Sequence, residues 1–215
     1  FAVRSLNRAK TAIKDGSFKE EITPVSFQNR KGETVVEQDE QPLSANLEKI
    51  PSLRPAFEKE GTVTAANSSS ISDGAAALVM MRESTAKKQG LTPLARILGH
   101  SSFAQSPDWF TTAPIGAIKR LLEKVGLATN DVDLFEINEA FATVTMAAMK
   151  DLELPAKKVN IHGGACALGH PVGASGTRIL VTLISALKKY NKKRGVASLC
   201  IGGGEATAMA VEVLS

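Results

Sequence analysis

Apolar and polar positions change rhythm near residue 93 of the 215-residue chain. Beyond that point, short apolar runs alternate with longer stretches of helical spacing. Leu94 to Gly99 reads as a strand, and Pro114 to Val125 as a helix with proline at its start and Gly126 at its end. Val132 to Ile137 is a predicted strand, Phe141 to Leu152 a helix and Val159 to Ile161 a strand. Ser175 opens a helix to Tyr190, with Ile179, Leu180, Leu183, Ile184 and Leu187 on one face. Val196 to Ile201 and Ala206 to Val213 are the last two strands, separated only by glycines and Glu205, which predicts a hairpin. Strands alternating with helices of this length imply an α/β unit, with a mostly parallel sheet covered on both faces.

The first 93 residues are less regular. Val3 to Lys14 is a predicted helix closed by Gly16. A polar region follows, with a short apolar alternation from Ile22 to Phe27 and a Lys31-Gly32 turn before Thr34-Val35-Val36. Pro42, Pro51 and Pro55 exclude a long helix there. Small and hydroxyl residues from Gly61 to Gly74 lead into Ala75–Met81, which predicts a buried strand. Ser84 to Gln89, ended by Gly90, is a short helix.

Composition places the chain among globular proteins, with 43% hydrophobic and 22% charged residues and enough length for a sizeable core. The net charge of +4 is mild, and its one dense basic cluster (Lys188, Lys189, Lys192 to Arg194) sits where a helix C-terminus favours cations. That pattern argues against nucleic acid and stays compatible with an acidic ligand. Two cysteines and no secretory leader point to a reducing compartment. No apolar run approaches the roughly 18 residues of a membrane span. The chain starts at Phe1 and enters a helix at once, as expected of a piece of something longer.

Chemistry concentrates at three predicted strand ends. Glycines at 163, 164, 169, 173 and 176 surround His170, which Pro171 follows directly. Such a loop lets backbone approach a ligand closely, and the helix start behind it leaves N–H groups free for a polarised oxygen. Cys200 ends the strand before Gly202-Gly203-Gly204, and Asn138 stands where Phe135-Glu136-Ile137 runs into a helix. Open α/β sheets bind ligands at such carboxyl ends. Bland readings exist beside these: a buried cysteine is commonly a small hydrophobe, an asparagine before a helix an N-cap, and Glu139 either an orienting group or a solvated helix start. His162, Cys166 and His170 recur every four residues, but glycines and Pro171 preclude the helix that would gather them as zinc ligands, and no fourth ligand is evident. Cys166 is read as structural. The glycines do not fit a dinucleotide fingerprint.

The three segments Asn138-Glu139-Ala140-Phe141-Ala142, Gly169-His170-Pro171-Val172-Gly173-Ala174-Ser175-Gly176 and Cys200-Ile201-Gly202-Gly203-Gly204 resemble, in this order and spacing, the C-terminal half of thiolases. The resemblance runs from Phe1 to the end of the chain. It implies a thiolase-like fold, with a mixed five-stranded sheet in residues 94–215, a loop-domain remnant in 1–71, and a returning strand and helix of the N-terminal domain in 72–93. It implies thiolytic cleavage of 3-ketoacyl-CoA, or Claisen condensation of two acetyl-CoA, with coenzyme A as substrate, no metal and no tightly bound cofactor. His170 would activate the nucleophile and bind a thioester oxygen. Cys200 would move the proton, and its glycine-rich, N–H-lined strand end is expected to bring its pKa toward neutral. Asn138 would hold a water, and the Gly202 N–H would serve a second oxyanion hole. Ser69, Ala65 and Phe57 fall where the family contacts the pantetheine arm. Gln41-Pro42-Leu43 departs from an Arg-His-Gly that many members carry near the adenine. The family's nucleophilic cysteine is expected upstream, so this polypeptide alone is expected to be inactive. Dimers or tetramers and a cytoplasmic location, or the mitochondrial matrix in a eukaryote, are implied likewise. The alternative is a thiolase-like protein that binds acyl-CoA or lipid without turnover. The retention of His170, Cys200 and Asn138 together argues against it.

Overall fold

The computed structural model describes residues 1–214. Helix α1 (Ala2–Lys14) buries Leu6, Ala9 and Ala12 on one face, and Gly16 at φ 74° lets the chain turn away behind it. The hairpin β1 (Val25–Asn29) and β2 (Gly32–Val36) is antiparallel and exposed. Helix α2 (Glu40–Ser44) is a single turn around Pro42, as the proline spacing requires, and α3 is Glu83–Lys88.

The C-terminal unit comprises β3 (Ala95–Ala104), α4 (Ala113–Val125), β4 (Leu134–Ile137), α5 (Ala142–Asp151), α6 (Ala165–Leu168), α7 (Ser175–Lys189), β5 (Arg194–Cys200) and β6 (Glu205–Val213). Its sheet runs β3-β6-β5-β4, with β3–β6 and β5–β6 antiparallel and β4–β5 parallel. The period-2 pattern assigns the faces. Phe135, Ile137, Val196, Ala206, Ala208 and Ala210 lie in the core with α4 and α5. Leu134, Ala197 and Val211 lie in a second core with α7. Three alanines on β6 leave room for α4 to approach, and Ile118 and Leu121 fill the space fully buried. Each such side chain contributes about 2 kcal/mol.

Three expectations change. In place of a mostly parallel sheet, only one of the three strand pairings, β4 with β5, is parallel, because β6 returns from β5 as a hairpin and β3 pairs antiparallel to β6. The sheet has four strands rather than five, because the predicted strand at Val159–Ile161 is reduced to one parallel bridge, Phe135 with Val159. A 3-10 turn at Ala156–Lys158 and the left-handed Asn160 (φ 46°) bend the chain away on either side of that bridge. The mixed α/β architecture with helices on both faces stands. The strand predicted at Ala75–Met81 takes no regular structure and is exposed, with Val79 at 88% and Met80 at 68%. A strand needs a neighbour to satisfy its backbone, and no strand among the described residues pairs with this segment. Among the described residues no helix is long and apolar enough to cross a membrane.

Candidate active site

Asn138 is the first residue beyond β4, and its N–H donates to the Ser198 carbonyl (2.9 Å), carrying the β4–β5 ladder one step past Ile137. Cys200 is the last residue of the parallel neighbour β5, paired with Ala206 across the hairpin. The two therefore stand at the same, carboxyl, end of adjacent strands. The turn behind Cys200 is closed by Ile201 N–H to the Glu205 carbonyl (2.7 Å) and Gly204 N–H to the Ile201 carbonyl (3.1 Å). Gly202 is exposed there, and its N–H donates to no protein group among the described residues.

His170 reaches the same end from the glycine-rich loop. Its N–H donates to the Ser70 carbonyl (2.9 Å), so Ser70 and Ile71 run alongside it. Gly169, at φ 86°, takes a conformation that L side chains rarely adopt, and a Cβ there would collide with Ser72. The imidazole Nε2 lies 3.3 Å from Asn138 Nδ2, and Nδ1 lies 2.5 Å from the Ser175 hydroxyl at the start of α7. Burial, and then the positive charge of Arg178, hold the His170 pKa below its ordinary value. Asn138 Oδ1 is buried and has no protein partner among the described residues.

The Cys200 thiol departs from expectation. It is 8% exposed, and burial pushes its pKa up to about 11, away from neutral. The free N–H groups of the glycine turn do not offset the loss of water around sulfur. Cys200 therefore holds its proton at neutral pH. Cys166 is buried too; its N–H donates to Glu139 Oε2 (3.1 Å), and burial raises its pKa further still.

Glu139, which sequence left between two readings, is 1% exposed and orients its surroundings. Its carboxylate accepts from Ser5 Oγ (2.7 Å), Asn160 Nδ2 (2.8 Å) and Cys166 N–H (3.1 Å). The Asn160 amide also donates to the Ile137 carbonyl (2.8 Å), while its oxygen accepts the Ile137 N–H (2.8 Å). The end of β4 is thus fixed from both sides. Neither Asn160 nor Ser175 carries a sequence signal that separates it from an ordinary loop or helix-start residue.

The residues expected along the ligand arm line up beside this centre. Ser69 donates to the Ala140 carbonyl, Ser68 bridges Phe141, and the Ala142 N–H donates to the Asn67 carbonyl (2.8 Å). Phe57, 74% exposed, meets the Phe141 ring edge-on at 6.1 Å. Ala65 sits exposed in the turn between Thr64 and Asn67. A cleft of about 490 Å³ lies between Ser72–Ala76 and the Pro171–Ala174 turn, next to His170 in sequence. A cavity of about 550 Å³ lies elsewhere, between α1, His162 and Tyr190, and includes none of the proposed catalytic groups. His162 is packed between Phe18 and Tyr190, apart from Cys166 at Glu139 and His170 at Asn138.

The family description "Thiolase, C-terminal domain" matches residues 91–213, and "Thiolase, N-terminal domain" matches residues 1–84. An acetyl-CoA acetyltransferase from Paracoccus denitrificans is 49% identical over 213 residues, which is 99% of this chain and 54% of that protein. The crystal structure of the Bacillus anthracis acetyl-CoA acetyltransferase superposes with a TM-score of 0.96 at 45% identity, covering 99% of this chain and 54% of that one. Acat5 thiolase from Ascaris suum, solved in complex with coenzyme A, gives 0.88 at 40% identity, with coverage of 99% and 54%. The chain spans about half the length of the curated relatives it matches. With two family domains abutting along nearly all its residues and the fold of solved members, the chain belongs to the thiolase family.

Proposed function

We propose that this chain supplies the acid/base and oxygen-binding half of an acyl-CoA C-acyltransferase of the acetyl-CoA acetyltransferase type, with the acyl-carrying thiol outside residues 1–215. The observation that carries the reading is the placement of His170 against Asn138, at the strand end shared with Cys200. The division is into residues 1–71, 72–93 and 94–215; the family match changing between 84 and 91 supports its second boundary. A homo-oligomer, and a reducing compartment such as the cytoplasm, complete the proposal; both cysteines being free fits the latter.

In thiolysis, His170 Nε2 takes the proton of the external thiol, whose sulfur attacks the keto carbon of a 3-ketoacyl-CoA. The bond between that carbon and its α-carbon breaks, and the electron pair leaves with acetyl-CoA as an enolate. Cys200, holding its proton, delivers it to the α-carbon of that enolate. The proton of an incoming CoA thiol then goes to the Cys200 thiolate. The acyl group moves to CoA, and the released enzyme thiolate recovers its proton from His170. Asn138, through its unpartnered oxygen and a water, and the Gly202 N–H would stabilise the developing oxyanions, each worth about 10²–10³ in rate. Ser69, Ala65 and Phe57 are the proposed contacts of the pantetheine arm.

The test is acyl trapping in the full-length protein. Cys200→Ala should stop acetoacetyl-CoA thiolysis and condensation yet still take up label from acetyl-CoA, because loading uses His170 and the external thiol. His170→Ala should impair both. Near-normal turnover by Cys200→Ala would make Cys200 a packed core thiol and overturn the assignment.

A further inference from the structure

We infer that Ser175 is the positioning residue that fixes His170 as its Nδ1–H tautomer and leaves Nε2 bare to accept a proton. Ser175 is fully buried in the first turn of α7, and its hydroxyl carries one proton. The Pro171 carbonyl, 3.1 Å away, can only accept, and in the Nδ1–H arrangement it takes that proton. Only lone pairs then face His170 Nδ1 at 2.5 Å, and the ring nitrogen is the donor.

The opposite edge of the ring favours the same tautomer, more weakly. Asn138 presents its amide nitrogen to Nε2 at 3.3 Å, and an amide nitrogen donates and does not accept. The two contacts differ in strength. The Nδ1 side is short and backed by backbone, whereas the Nε2 side is long and weak. A proton arriving at Nε2 displaces a poor hydrogen bond and leaves the good one in place. Among the described residues no carboxylate lies against Nδ1 to stabilise the cation, so the ring gives its proton back readily; its lowered pKa agrees.

The five-residue spacing is enforced by the turn between the two residues, where the Ala174 and Ser175 N–H groups donate to the Pro171 carbonyl at 2.8 and 2.9 Å. Those two bonds survive removal of the hydroxyl, so Ser175→Ala keeps the helix start.

The tautomer is a property of the ring; only its consequence for turnover rests on the thiolase reading. The test is solid-state ¹⁵N NMR of full-length protein labelled at histidine, at a pH where the ring is neutral, with the His170 signals assigned by their loss in His170→Gln. The wild type should show a protonated Nδ1 and an unprotonated Nε2. Ser175→Ala should populate the Nε2–H tautomer and lower kcat about 10²-fold, with KM changed less than about twofold. Ser175→Thr, which keeps the hydroxyl, should restore the signal where it folds. An Nε2–H wild type, or a Ser175→Ala spectrum like the wild type, overturns the inference whatever the threonine variant does. Absence of thiolysis by wild-type protein with the Nδ1–H signal intact would instead overturn the functional reading alone.

Discussion

Ser69 holds the Ala140 carbonyl with two donors, its own N–H and its hydroxyl, both at 3.0 Å. The segment that follows Asn138 is thereby tied to the loop expected to meet coenzyme A. Because the hydroxyl proton is already used, Ser69 can offer a ligand only its lone pairs. A pantetheine contact at Ser69 must therefore come from a donor on the ligand, an amide N–H or its hydroxyl.

Ser69→Ala removes that acceptor and one of the two donors, while the backbone bond to Ala140 remains. In the full-length protein it should raise the KM for CoA about 5- to 10-fold, the worth of one hydrogen bond, with kcat close to wild type. A fall in kcat at constant KM would place Ser69 outside the ligand path.

Glu139→Gln should destabilise the fold more than its small change in shape suggests. The carboxylate receives three donors, and an amide can only accept at one of its two ends, so at least one donor faces another donor. A loss of about 2–3 kcal/mol is expected, read as a drop in denaturant midpoint with unchanged slope. Wild-type stability in this variant would mean that the three bonds are individually dispensable.

Two buried groups give stability opposing dependences on pH. Burial lowers the His162 pKa from 6.5 to about 4, so the unfolded chain binds a proton that the folded one refuses, and stability falls as pH drops from 6.5 to 4. Burial raises the Glu136 pKa from 4.5 to about 8, so the folded chain keeps a proton that the unfolded one loses. Its contribution is lost as pH rises from 4.5 to 8. Denaturation midpoints across pH 4 to 8 should therefore lose their acid limb in His162→Gln and their alkaline decline in Glu136→Gln. Parallel profiles in all three proteins would refute both assignments.

What sequence conveyed was rhythm and motif. Ile179, Leu183 and Leu187 mark α7 because a buried helical face repeats every three to four residues, and all three are buried. Cys200, Asn138 and His170 stood out because glycines and strand ends frame them. Ala75–Met81 misled because an apolar run reports what a segment is suited to bury, not whether a partner is present. Ser175 read only as a helix start and Glu139 stayed between two readings, because their roles are set by groups far along the chain or by a hydroxyl direction that no pattern records. The Cys200 pKa was misjudged since dipoles are visible in a glycine motif whereas desolvation is not.

The bonds that secure the site span great distances along the chain: Ser5 to Glu139 crosses 134 residues, and Arg8 to the Val159 carbonyl crosses 151. Such closures contribute only after most of the chain has condensed, because the entropy of ordering the intervening loop comes first. Folding should thus follow a fixed itinerary, with the local β5–β6 hairpin early and the docking of α1 late. A ribosome releasing this polypeptide in chain order would present α1 long before its binding surface exists. The geometry of the proposed site is a property of the finished fold, and an unfolded chain would carry every motif without it.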